Sequence, residues 1–243
     1  MSKRLDRKVC LISGGTSGIG LATAKSFLAE GASIAVCGRN PERLSQAAKL
    51  LGQDALVVSA DTTKLSDLEM LAQKTAKHFG KIDVVVANAA ESRFMPMEQI
   101  TEEIFDAMVN SIFKGQFFTI QKALPFMNEG ASIVLISASS HMKGYPDTNI
   151  SSANKAAVRA LARTISADLL DRRIRVNCLS PGPVETPIYE SLGVNLDDVA
   201  AMTPVKRMAE MREITQAILF LASDDSSYML GEDLSVDGGM NHL

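Results

Sequence analysis

Cysteine is scarce in this chain. Only Cys10, Cys37 and Cys178 occur among 243 residues, each inside an apolar run and none at zinc-ligand spacing. That scarcity excludes a disulfide framework and a structural zinc site, fits a reducing compartment, and leaves small core side chains as the reading. No metal site is expected. Long apolar runs are also missing: no stretch of 18 apolar residues appears, and nothing of that kind follows the charged start "MSKRLDRKVCLIS". A membrane span is therefore not expected, and a cytoplasmic protein is. Basic excess is missing too. A net charge of −3 and a pI of about 5.7 give no field for counterion release, which argues against nucleic acid and for a small-molecule partner. Repeats, low-complexity tracts and Pro/Gly/Ser linkers are absent as well. One domain over 1–243 is expected, and at 46% hydrophobic residues it can bury a full core.

What is present is an alternation. Short β-branched runs at 9–13, 33–37, 55–59, 82–87, 132–137, 174–180 and 233–237 read as strands. Between them, stretches near 18–30, 41–51, 66–79, 101–127, 151–170 and 209–222 carry helical periodicity. Apolar strands separated by helices predict a doubly wound, Rossmann-type α/β fold: a parallel seven-stranded sheet covered by helices on both faces. One long irregular stretch, "PGPVETPIYESLGVNLDDVAAMTPVKR" at 181–207, follows the sixth strand. Ligands of such sheets bind beyond the strands' carboxyl ends, so its 183–207 portion reads as a substrate lid.

The first strand runs into "SGGTSGIG", residues 13–20, with Gly14, Gly18 and Gly20 ahead of a helix. Glycines let the backbone turn sharply and approach a pyrophosphate, and the helix N-terminus supplies free N–H groups and partial positive charge. The turn, Gly14 with Thr16, Ser17, Gly18, Ile19 and Gly20, is therefore a candidate dinucleotide site.

Five motifs in order, "GGTSGIG", "ANAA" at 87–90, Asn110 in "VNSIFKG", "SPGPVETP" at 180–187 and "SVDGG" at 235–239, carry a resemblance to the short-chain dehydrogenase/reductase family over nearly the whole chain. The resemblance implies a nicotinamide cofactor, with Asp61 and Asn88 along its adenosine half. It also implies that Thr186, after Pro181 and Gly182, helps hold the carboxamide. Ala90 stands where the family has glycine. At the end of the second strand, "CGRN" offers Arg39 after Gly38 and no carboxylate for a ribose 2′-hydroxyl. A guanidinium there can grip a 2′-phosphate, with Arg43 one turn on as a second charge, so NADP(H) is favoured over NAD; a solvated Arg39 is the competing reading.

In the family a tyrosine lies four residues before a lysine, and a serine thirteen residues before that tyrosine. Counting back from Lys155 in "NISSANK" gives Ser151 and Ala138. Both hydroxyl groups that would handle the substrate oxygen are replaced. By the resemblance, Lys155 would bond the nicotinamide ribose and Asn110 would hold a water linking lysine to solvent. Ser151 has a hydroxyl, but it is shorter than a phenol and far less acidic. Tyr145, Ser139, Ser140 and His141, in the loop before the helix, are further candidates, and Tyr189, Met95, Met97, Met202 and Met208 are candidates for a substrate pocket. Two functions stay open. One is an NADP(H)-dependent oxidoreductase acting on a small carbonyl, alcohol or imine compound; the other is a non-catalytic subunit or regulator of the same fold. The resemblance also implies a homodimer or homotetramer through the helices at 101–127 and 151–170, or a hetero-oligomer with an active homologue.

Overall fold

The computed structural model describes residues 3–186 and 195–243. Seven parallel strands form one sheet in the order β3-β2-β1-β4-β5-β6-β7. They are β1 (Val9–Ile12), β2 (Ser33–Gly38), β3 (Ala55–Ser59), β4 (Ile82–Ala87), β5 (Met127–Ile136), β6 (Arg175–Pro181) and β7 (Asp233–Val236). The eight α-helices among the described residues are α1 (Gly18–Ala29), α2 (Pro41–Leu51), α3 (Leu65–Phe79), α4 (Glu102–Val109), α5 (Gly115–Ala123), α6 (Asn149–Asp168), α7 (Leu196–Ala201) and α8 (Met211–Ala222).

Successive side chains of a strand face opposite ways, and here both faces are apolar. In β4, Val85 and Ala87 join Leu71 of α3, Ile120 of α5 and Val158 of α6, whereas Val84 and Val86 join Phe27 of α1, Ala47 of α2 and Ile218 of α8. Burial on both faces is why these strands read as continuous apolar runs. Each fully buried valine or isoleucine contributes about 1.5–3 kcal/mol relative to exposure.

Three details depart from the expected boundaries. The helix expected over 101–127 is interrupted by a π-helical turn at Asn110–Lys114, between α4 and α5. β5 begins at Met127 instead of 132 because Met127 pairs with Ile82 before the register shifts to Val84 opposite Ser132. The stretch expected to be irregular contains α7, started by the Asn195 side chain accepting from the Asp197 N–H. No helix among the described residues is long and apolar enough to cross a membrane.

The chain leaves β1 for β2 and β3 on one side, then crosses to β4 on the other. That reversal opens a crevice beyond the carboxyl ends of β1 and β4, which is where an open α/β sheet binds its ligand.

Candidate active site

A cleft of about 540 Å³ occupies that crevice. Its floor is the glycine turn. Gly14 has φ +66°, and a Cβ there would lie 2.9 Å from the Ala89 Cα, so both backbone conformation and crowding require glycine. Gly18, at φ +51°, is different: an added Cβ would meet nothing nearer than Thr186 Cγ2 at 3.8 Å, because it would project into the open cleft. Ser17 caps α1 with extended backbone and no side-chain cap bond, and the first turn of the helix holds no acidic residue. The N–H groups of α1 thus face the cleft without an internal anion, which fits a pyrophosphate.

Asn88 braces this floor. Its Nδ2 donates to the carbonyls of Ser13 (3.1 Å) and Gly14 (3.2 Å), and the Ser13 hydroxyl accepts from the N–H groups of Asn88 and Ala89. Gly20 does not line the cleft; a Cβ there would come within 2.3 Å of the Gly14 carbonyl oxygen, so it serves the packing of α1 on the turn. Thr16, Ser17, Ile19, Arg39, Arg43, Thr62, Thr63, Pro181 and Thr186 line the cleft.

Asp61 does not line the cleft, whereas its neighbours Thr62 and Thr63 do. Burial works against its charge, but hydrogen bonds from the Thr63 N–H and hydroxyl, with Arg39 and Lys64 nearby, hold its carboxyl below the usual range. Gly182 packs on Asp237 instead of lining the cleft.

At the inner end, α6 presents Ser151 and Lys155 on one face, one turn apart. Lys155 is 6% exposed, and its Nζ donates to the Ile136 carbonyl at 2.9 Å. Burial pulls its pKa down to about 8, with Cys178 a lesser, opposing influence. The Ser151 hydroxyl donates to that of Ser92 at 3.2 Å, and Ala138 lines the same end. Asn110 opens the π turn half-buried; its neighbour Ser111, not Asn110, lines the cleft and accepts from the Glu91 N–H at 2.8 Å.

Several candidates lie elsewhere. His141 is turned away from the cleft and buried, its Nε2 3.0 Å from Asp233 Oδ2 and 3.1 Å from Ser180 Oγ, with Arg159 on the same carboxylate at 3.1 Å. This cluster ties the loop to β6, β7 and α6. Ser139 is buried against Met240, and the Tyr145 hydroxyl is buried without a partner among the described residues, its pKa raised by burial and by Asp237. Ser140 alone of that loop group reaches the cleft. Met95, Met97, Met202 and Met208 do not line it, and Met97 is 78% exposed. Tyr189 lies outside the described residues. Residues absent from the sequence-based expectations include Thr62, Thr63, Ser111 and Ser137, and also Glu91, Ser92 and Phe94, which follow "ANAA" and line the cleft; the only sequence signal of the last three is adjacency to that motif.

The order of strands, the glycine turn at the β1/β4 reversal and the lysine of α6 now meet independent comparisons. A family model described as enoyl-(acyl carrier protein) reductase matches residues 14–241. The oxidoreductase asL5 of Sarocladium schorii is 40% identical over 245 residues, covering 99% of this chain and 98% of that one. The chain belongs to the short-chain dehydrogenase/reductase family. The 3-oxoacyl-[acyl-carrier-protein] reductase FabG of Thermotoga maritima is 36% identical over 98% of this chain and 99% of its own. A solved short-chain dehydrogenase/reductase from Serratia marcescens superposes with a TM-score of 0.92 at 27% identity, covering 98% of this chain and 99% of its own. Members of this family are oxidoreductases that use nicotinamide cofactors and act on small molecules.

Proposed function

We propose that this protein is an NADP(H)-dependent short-chain dehydrogenase/reductase that acts on a small carbonyl, alcohol or imine compound through an active site without the family's tyrosine and serine. The observation that carries the reading is one continuous cleft with the α1 N-terminus and Arg39 at one end and the buried Lys155 at the other. The nicotinamide, when bound, supplies hydride transfer. The chain's part is positional. The glycine turn and α1 would hold the pyrophosphate, Arg39 and Arg43 the 2′-phosphate, Thr186 the carboxamide and Lys155 the ribose hydroxyls. Ser151, paired with Ser92, is a weak acid and orients more readily than it protonates.

A substrate that reacts without a strong positioned acid, such as an iminium ion, suits this arrangement. NADPH is expected to bind at least tenfold more tightly than NADH, about 1.4 kcal/mol, within what charge-assisted phosphate contacts supply. Fluorescence titration of both nucleotides tests it, and equal affinities would contradict the role of Arg39.

The second reading, a cofactor-bound helper subunit of an active homologue, is favoured by one observation: with Ala138 and Ser151 in place, no phenol lines the inner end of the cleft among the described residues. Family members commonly oligomerise. In this chain Ala156, Ala160 and Ala167 are exposed on α6, and Phe105 of α4 is 44% exposed. Small residues permit close helix packing. A dimer or tetramer is expected by light scattering at micromolar concentration; a monomeric mass would count against assembly through these helices.

A further inference from the structure

Arg39 is not free in this structure. Its Nη2 lies 3.1 Å from Glu91 Oε2, and its Nη1 lies 3.9 Å from Asp61 Oδ2. The other oxygen of Glu91 accepts from Arg93 at 2.8 Å (Nη2) and 3.3 Å (Nε). Asp61, Arg39, Glu91 and Arg93 therefore form a row of alternating charge. They follow β3, β2 and β4, so the Arg39–Glu91 pair spans the exit of β1, directly over the glycine turn. Glu91 is fixed through both its backbone and its side chain. Its N–H donates to Ser111 in the π turn, and Arg93 holds Oε1, leaving Oε2 for Arg39. Hydrogen bonds from Arg93, then Arg39, hold the Glu91 carboxyl below the usual range against the opposing effect of burial, so it is an anion at neutral pH.

We propose that Glu91 is a built-in competitor for the cofactor's 2′-phosphate: it engages Arg39 across the cleft and must be displaced before Arg39 can grip a phosphate there. This rests on the NADP(H) reading and adds a residue that sets the strength of that preference. Two effects have the same sign. The Arg39–Glu91 pair must open, and the carboxylate left beside the incoming phosphate repels it. A nucleotide without the 2′-phosphate has no need of Arg39 and leaves the pair closed. The preference for NADPH over NADH is thereby smaller than Arg39 alone would give. Exposed ion pairs are weak, so the tuning is a matter of severalfold, not orders of magnitude.

The test is titration of NADPH and NADH against the wild-type protein, Glu91→Gln and Glu91→Ala, each repeated in an Arg39→Gln background. Both Glu91 variants are expected to tighten NADPH by about fivefold and to change NADH by less than twofold, and Arg39→Gln should abolish the gain. The alanine variant guards against a glutamine that still bonds Arg39. NADPH binding that neither variant alters, or NADPH and NADH tightening together, would overturn the proposal while leaving the NADP(H) reading standing. Binding of neither nucleotide by any of the proteins would overturn both.

Discussion

The double variant Ser151→Tyr with Ala138→Ser is expected to oxidise NADPH on a generic aldehyde or diketone about 10² times faster than the starting protein. The inner end of the cleft already supplies the setting. Position 151 faces the cleft on the same turn-to-turn face as Lys155, and position 138 lines the same cleft. A phenol at 151 would displace the Ser151–Ser92 hydrogen bond and stand beside the buried ammonium, which lowers a phenol's pKa. A hydroxyl at 138 would orient the same substrate oxygen. Because both groups act on one atom, each single substitution should give less than its share of the gain. Lys155→Met in the double variant should remove it. Absorbance decay of NADPH at saturating cofactor measures the rates. A double variant that binds NADPH, stays folded and shows no turnover would mean that the cleft is no longer shaped for chemistry.

The second large effect concerns Lys155 itself. Its folded pKa of about 8 lies below the ordinary 10.5 because burial disfavours the charged form. The sign follows from proton counting. Below pH 8 both folded and unfolded chains carry the proton, and the folded state bears the whole desolvation penalty. Between pH 8 and 10.5 the folded chain has released a proton that the unfolded chain keeps, so stability rises with pH. Above 10.5 neither holds it and the penalty is gone. Relative to Lys155→Met, which has nothing to titrate there, the wild-type protein should gain about 3 kcal/mol between pH 7 and 10.5. Urea unfolding of both proteins across that range measures the difference, in which other titrating groups cancel. A difference independent of pH would mean that the ammonium is solvated in the folded protein.

The strands and the glycine turn were legible because their signals are local. Val84, Val85 and Val86 sit in an uninterrupted apolar run, and Gly14 and Gly18 sit between a strand and a helix at φ values other residues resist. Lys155 and Ser151 were legible as a pair because helical spacing places them on one face. Less was legible where tertiary contacts decide. The β5 extension depends on Met127 meeting Ile82, the π turn leaves the helical pattern of 102–123 almost unchanged, and the position of His141 depends on Asp233, 92 residues away. The methionines do not line the cleft, whereas Glu91, Ser92 and Phe94 enter it from a loop with no periodicity to read. The pairing of Arg39 with Glu91 joins residues 52 positions apart and has no sequence signature.

The most direct measurement of the central claim is NADPH oxidation by the purified wild-type protein across a mixed panel of carbonyl and imine compounds, against a control without protein. The account predicts turnover that depends on Lys155 and is faster on imines or iminium ions, which need no accompanying proton, than on simple ketones, which lose roughly 10² to 10⁴ in rate without the family's acid. Tight NADPH binding with no turnover on any member of the panel would contradict it and leave the helper-subunit reading in its place.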